Sequence, residues 1–315
     1  MRESTKSWLT WPTFYTLSEI YQVPLNIIWF ILSGAIAYHE FHAINLINIF
    51  LCCLDVMIFD LAVNVADNYF DYRHGKDPHF LTVSNPVGRL KLPIKKVRNL
   101  MIILYLISII PGIILVARTH WSVIILGVIG YFVGIFYTAG KFPINATPFC
   151  EAIVAFFISF FIVFVGVYVA VYPHLVMGFD TIGQIFAICL PLMIIFYALQ
   201  LANNVCDLEE DLINGRKTMA SFVGKKRGFQ VIKVLIIIGM IMPLILAGMH
   251  LIPPVTGLVS LWVLPTLRNT HNFFTNPDKE TTYLHLLKEL SVFLILYIMI
   301  YTLCAILTFK KTIDA

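Results

Sequence analysis

Nine apolar runs constrain this chain more than anything else it contains. They fall at roughly 24–43, 46–67, 99–117, 121–139, 149–173, 182–205, 231–249, 251–267 and 289–309. Most reach the about 20 residues a helix needs to cross hydrocarbon. In that medium only helices and closed barrels satisfy every backbone polar group. The runs show no period-2 alternation, which argues against an outer-membrane barrel. The expected fold is therefore all-α, a polytopic membrane protein with nine transmembrane helices. Pro111, Pro191 and Pro243 lie inside runs, where neighbouring helices can satisfy the freed carbonyls. The eighth run is the weakest, being short and opening with Pro253-Pro254.

Composition enters here only to exclude an alternative. At 315 residues the length suits two soluble domains, but 59% of residues are hydrophobic and 13% charged, far from soluble averages. Residues 1–315 read as a single integral membrane domain. The first 22 residues have no apolar core followed by a small-residue cleavage site, so they do not read as a cleavable signal. Trp8, Trp11, Phe14 and Tyr15 instead mark residues 1–22 as an interfacial segment at the headgroups.

Placing the N-terminus in the cytoplasm leaves only Arg118, Lys310 and Lys311, of the 22 Lys and Arg residues, on the far side. That asymmetry obeys the positive-inside rule and orients the chain in a cell (plasma) membrane. It also accounts for the net charge of +4 without a nucleic-acid partner. The six cysteines lack metal-site spacing and read as small packing residues.

Against this apolar background two polar stretches stand out, in segments 64–98 and 203–230. Asn64, Asp67, Asp71 and Gly75 recur as Asn204, Asp207, Asp211 and Gly215 at a constant offset of 140. Asp60/Gln200 and Lys76/Arg216 keep that offset, and a match over six positions indicates an internal repeat. At 100° per residue, helix positions 0, 3 and 7 lie within about 60° of one another. Each copy thus predicts one polar stripe, ended by a glycine suited to a helix C′ position. The copies end the second and sixth runs, four helices apart, so both motif helices run the same way and finish on the cytoplasmic side.

Carboxylates beside hydrocarbon cost about 2.5–3.5 kcal/mol each at a helix centre, so a solvated-cap explanation of both copies is weak. Hard oxygen ligands on two facing helices suit Mg²⁺, which takes a few carboxylates with phosphate oxygens and water. Arg73, Lys76, Lys141, Arg216 and Lys217 add positive charge suited to a polyphosphate. Acid, Mg²⁺, diphosphate and base at the mouth of an apolar bundle is a layout for a lipid diphosphate, its head at the interface and its tail in the membrane.

These residues resemble the UbiA superfamily of intramembrane prenyltransferases, and within it the branch acting on 1,4-dihydroxy-2-naphthoate in menaquinone biosynthesis. The resemblance rests on Asn64-x-x-Asp67-x-x-x-Asp71-Tyr72-x-x-Gly75-Lys76-Asp77 and on Asn203-Asn204-x-x-Asp207-x-x-x-Asp211-x-x-Asn214-Gly215-Arg216-x-Thr218. Tyr137-Thr138 with Pro143 and Glu151 is similar to the stretch between the branch's helices 4 and 5. Cys150 stands where the branch usually has glycine, and a glycine expected near Arg89-Leu90-Lys91 is missing. Tyr137-x-x-x-Lys141 is instead like the 4-hydroxybenzoate members, so that acceptor stays open.

The resemblance implies Mg²⁺ held by Asp67, Asp71, Asp207 and Asp211, the candidate catalytic and metal residues. It implies substrate binding by Asn64, Lys76, Tyr137, Lys141, Asn204 and Arg216, with a polyprenyl diphosphate and an aromatic acceptor as partners. A transporter built on the repeat is the other class to weigh. Transporters place coupling residues near the midplane, whereas these acids gather at one end beside basic loops, which favours an enzyme.

Overall fold

The computed structural model describes residues 8–174 and 178–313, with side chains to residue 307. Of the charged residues used for the orientation, Arg2 and Lys6 therefore lie outside what is described, as do the side chains of Lys310 and Lys311. Among the described residues there are helices and loops and no strand. The principal helices are α1 (Trp11–Ser18), α2 (Ile27–Phe41), α3 (Leu46–His74), α4 (Ile94–Arg118), α5 (Ser122–Thr138), α6 (Cys150–Val171), α7 (Phe179–Cys206), α8 (Leu208–Asn214), α9 (Lys225–Gly248), α10 (Val263–Asn269) and α11 (Thr282–Ile313).

Each of the nine runs is helical, but among the described residues six helices are long and apolar enough to cross a membrane: α3, α4, α6, α7, α9 and α11. A seventh span arises if α1 and the segment Val23–Phe41, bent by 45°, count as one. The other two runs fall short for local reasons. Helix α5 has only 17 residues. The eighth run begins as a 3-10 helix, Pro254–Trp262, and becomes α-helical only at α10.

The chain packs into three unequal cores: one around Phe30, Cys52, Leu115, Val123, Tyr168 and Val169, and two that hold the motif helices. The larger of these two gathers α2, α6, α7, α9 and α11 around Leu32, Val163, Ile188, Ile195, Ile236 and Tyr297. Close approach of α2 and α6 requires Gly166, where a Cβ would lie 2.4 Å from Ser33 Oγ. The smaller core joins the end of α1 to α3 and α4 through Leu17, Ala62, Val65, Ala66, Val97 and Met101. Helix α4 turns the rest of its apolar surface outward, with Ile113 64% exposed, as a lipid-facing helix does. Trp11, Tyr15 and Tyr21 at the bent N-terminal helix are also exposed. Helices α3 and α7 both end at one pole of the bundle, where the two motifs meet.

Candidate active site

The first motif lies on an unbroken helix. Helix α3 starts where the Asn45 side chain accepts from Asn48 N at 3.1 Å, and it carries Asn64, Asp67 and Asp71 before ending at His74. Gly75 then leaves in an extended conformation, φ −59° and ψ 143°, and not in the left-handed one expected of a C′ glycine. Space explains this glycine: a Cβ there would sit 2.8 Å from Asp71 O and 2.9 Å from Leu81 Cδ2. Asn64 donates its side-chain amide to Ser18 O at 3.1 Å, and Asn68 donates to Leu17 O at 3.1 Å. Both serve the unpaired C-terminal carbonyls of α1. Asn64, expected at substrate, thus commits its amide to holding the N-terminal helix against α3.

The second motif departs from the uninterrupted stripe. Helix α7 stops at Cys206, Asp207 takes φ −88° and ψ 4°, and the separate seven-residue α8 begins at Leu208. The first motif, by contrast, keeps Asp67 and Asp71 in the last turns of an unbroken helix. Restarting the helix puts Glu209, Glu210 and Asp211 in a first turn, where the dipole favours them. Gly215 ends α8 at φ 84°, the left-handed conformation that glycine adopts without steric cost.

The two copies touch directly. Asn214 Oδ1 accepts from Lys76 N at 2.8 Å and from Asp77 N at 3.1 Å. Lys76 stays at this joint, its ammonium 3.4 Å from where a Cβ on Gly215 would stand. Arg216 pairs with Asp211 Oδ1 at 3.1 Å and donates to Asn145 O at 3.4 Å. Its charge also acts on Asp71 and Tyr137, and the Asn145 side chain lies close to Asp71. Lys217 N donates to Ala146 O at 3.3 Å, so the loop between α5 and α6 is tied to both motifs. Tyr137 lies within electrostatic range of Asp67 and Asp71, and Thr138 stands beside Asp67.

Asn204 is buried behind this group and donates to Glu151 Oε1 at 2.9 Å, while Cys150 Sγ donates to Glu151 Oε2 at 3.0 Å. Asp207, at the edge, pairs with Lys279. Lys141 stands apart: it is exposed, with its ammonium 5.6 Å from the Phe142 ring centroid. The structure thus brings Asp67, Asp71, Tyr137, Asp211 and Arg216 together, with Lys76, Asn204 and Asp207 around them. It adds Asn145, Glu151 and Lys279, of which Asn145 and Glu151 lie in a stretch the sequence singles out.

Burial, opposed by Arg216, pushes the Asp211 carboxyl up to about 6, with Asp207 adding repulsion. Burial also works against the Arg216 guanidinium's charge, but Asp211 and Asp71 outweigh it and its pKa rises. Two buried carboxylate oxygens, Asp67 Oδ1 and Asp211 Oδ2, have no hydrogen-bond partner. One from each motif, they are hard anionic donors of the kind Mg²⁺ takes, so the donor chemistry fits that ion. Among the described residues no three His, Cys, Asp or Glu side chains converge on one point; chain cations, Arg216 and Lys279, hold the carboxylates instead.

An apolar helical bundle with a duplicated acid-and-amide motif closing one pole defines a membrane-embedded class. The UbiA prenyltransferase family model matches residues 27–287, and the chain belongs to that family. Among characterised relatives, it is 26% identical over 209 residues to the 1,4-dihydroxy-2-naphthoate octaprenyltransferase of Bacillus subtilis (strain 168), a match covering 62% of this chain and 61% of that relative. In fold it is similar to a UbiA homologue from Aeropyrum pernix K1, with TM-score 0.65, 14% identity, and coverage of 87% of this chain and 96% of the other. A UbiA homologue from Archaeoglobus fulgidus, bound to DMAPP and Mg²⁺, gives TM-score 0.61 at 14% identity, covering 93% and 99%.

Proposed function

We propose that the protein transfers a polyprenyl group from a prenyl diphosphate to 1,4-dihydroxy-2-naphthoate, with loss of CO₂, in menaquinone biosynthesis. The single observation carrying this reading is the joint itself: Asn214 bonds to Lys76 and Asp77, while Arg216 pairs with Asp211 and its charge reaches Asp71. Acids and bases of both copies thereby surround one point at the end of an apolar bundle. The Bacillus relative and the solved homologue with DMAPP and Mg²⁺ support the substrate class.

In this reading Asp67, Asp71, Asp207 and Asp211 hold Mg²⁺, which when bound supplies Lewis-acid neutralisation of the diphosphate. Lys76 and Arg216 bind the diphosphate oxygens and stabilise charge as the C1–O bond breaks with its electron pair leaving on oxygen. Tyr137 presents a ring to the allylic cation. The new C–C bond forms at the carboxylate-bearing carbon, and the electrons of the departing carboxylate carbon bond restore the aromatic ring. Asn204, held on Glu151, positions the second motif helix. We further read the nine helical runs as nine spans in a cell membrane, with the motif loops on the cytoplasmic side.

Lys141, which carries the likeness to the 4-hydroxybenzoate members, is exposed over Phe142 and outside the acid cluster, so the naphthoate is favoured. The test supplies each acceptor labelled at its carboxyl carbon, with Mg²⁺ and a polyprenyl diphosphate. Labelled CO₂ formed in step with pyrophosphate from the naphthoate is expected. A label-retaining product made only from 4-hydroxybenzoate overturns the acceptor, and no pyrophosphate from either overturns the reading.

A further inference from the structure

The loop that leads into α11 contains no part of the repeat, yet it reaches the second motif. Lys279 pairs with Asp207, 72 residues away in sequence, with 47% and 21% of the two side chains exposed. The turn presenting Lys279 is built for the purpose. Asp278 Oδ1 accepts from Thr281 N at 2.8 Å. Asp278 N donates to Thr282 Oγ1 at 2.8 Å, and that hydroxyl donates to Asp278 O at 3.0 Å. The turn is thus held by its own bonds, independently of Asp207, and the lysine projects from its tip.

The second motif carries four acids within five residues: Asp207, Glu209, Glu210 and Asp211. Three chain cations answer them. Lys225 stands 3.6 Å from the exposed Glu209, Arg216 holds Asp211, and Lys279 holds Asp207, its charge also acting on Glu210 and Asp211. Arg216 and Lys279 are not equivalent. Arg216 is anchored twice, since its own N–H donates to Asp211 O at 2.8 Å and its Nε to Asn145 O at 3.4 Å. Lys279 is a compact ammonium on a four-carbon stem, free to rotate away while its turn stays in place.

We infer that Lys279 is an exchangeable counter-ion of the second motif: it neutralises Asp207 in the substrate-free protein and turns to the diphosphate when the divalent cation and substrate arrive. The inference rests on the diphosphate site proposed above. An ammonium on Asp207 neutralises that carboxylate and repels an arriving divalent cation, so the two compete for Asp207. Once displaced, the ammonium's nearest new anions are the diphosphate oxygens arriving with the metal. Lys279 is therefore a positioning residue before substrate binds and a diphosphate ligand afterwards, contributed by a third loop.

The test measures Mn²⁺ binding to the full-length, detergent-purified protein without substrate, from the paramagnetic resonance signal of free Mn²⁺. Removing a competing, partly exposed ion pair is expected to tighten Mn²⁺ binding by about two- to fivefold in Lys279→Met. Lys279→Arg should return affinity to the wild-type value. With Mg²⁺, Lys279→Met should raise KM for the prenyl diphosphate more than it lowers kcat. Unchanged or weaker Mn²⁺ binding in Lys279→Met overturns the inference. Asp207→Asn and Asp211→Asn separate the two ideas: loss of Mn²⁺ binding in both supports the metal site, and no loss in either overturns that site whatever Lys279 does. Amine labelling of the unaltered protein removes dependence on any variant folding. Addition of Mg²⁺ alone should speed labelling of the Lys279 ammonium as it leaves Asp207, and an unchanged labelling rate there overturns the counter-ion role.

Discussion

Asn214 is the point at which the two copies of the motif can be uncoupled without touching a carboxylate. Its Oδ1 accepts from two backbone donors, Lys76 N at 2.8 Å and Asp77 N at 3.1 Å. Its Nδ2 donates within its own helix to Glu210 O at 3.1 Å. Asn214→Ala removes the acceptor and leaves both N–H groups without their partner. A neutral hydrogen bond contributes about 0.5–1.5 kcal/mol net. Both donors lie near water, so the lower half of that range applies, giving about 1–2 kcal/mol for the pair. At 1.4 kcal/mol per factor of ten, the amides of Lys76 and Asp77 should exchange about 5- to 30-fold faster. Hydrogen exchange read by mass spectrometry on peptides covering residues 75–79 measures this directly. Asn214→Asp keeps the accepting oxygen and should retain most of the protection. Exchange within twofold of wild type in Asn214→Ala would refute the joint, because no other acceptor for these two donors is present.

Three further outcomes follow from the same geometry. Asp67→Asn, Asp71→Asn, Asp207→Asn and Asp211→Asn should each fold and each lose Mg²⁺-dependent pyrophosphate release, as should the wild type after chelation; near-wild-type turnover in three of the four defeats the assignment. Gly88→Ala should lower the apparent melting temperature by about 3–8 °C, since its Cβ would meet Leu81 O at 1.7 Å and Tyr72 at 2.9 Å; an unchanged melting curve contradicts that crowding. Glu19→Gln tests a charge at the bend between α1 and α2, where burial and then Asp60, against a hydrogen bond from Asn68, push the carboxyl up. A raised pKa means the folded form holds the proton more tightly, so stability is fully present below the ordinary carboxylate range and is lost as pH rises through the folded value. The variant should therefore melt higher than wild type at pH 7.5, the difference closing as pH falls toward about 4, and a gap that does not change with pH argues against a buried charge.

The fold was legible because it follows from runs of residues with one chemistry. All nine runs are helical, and long ones such as α3 and α7 were readable to within a few residues. Span length was less so at α5 and at Pro254–Trp262, where local backbone chemistry shortens or retightens the helix. The acids of both motifs were legible because their cost in hydrocarbon leaves few bland explanations. Their partners were not. Neither Asn145 nor Lys279 is itself marked, since what matters is a loop returning from elsewhere in the chain. The bond from the Asn64 amide to Ser18 O was not legible either, because a period gives the face of a helix and says nothing of what lies opposite. The break at Asp207 was hidden for a related reason: a 0, 3, 7 stripe presumes the helix it is meant to establish.

The glycines at 75 and 215 read as one residue written twice, yet they answer to different physics. At Gly215 the demand is on a dihedral angle, φ 84°, and any residue tolerant of the left-handed region, asparagine foremost, is a neighbouring solution. At Gly75 the angles are ordinary and the demand is on volume, because Asp71 O and Leu81 leave no room for a Cβ; asparagine is no better there than leucine. The two motifs thus place two separate constraints on sequence. Change accepted in one half carries no licence for the other, and the repeat will fade from the sequence sooner than from the site.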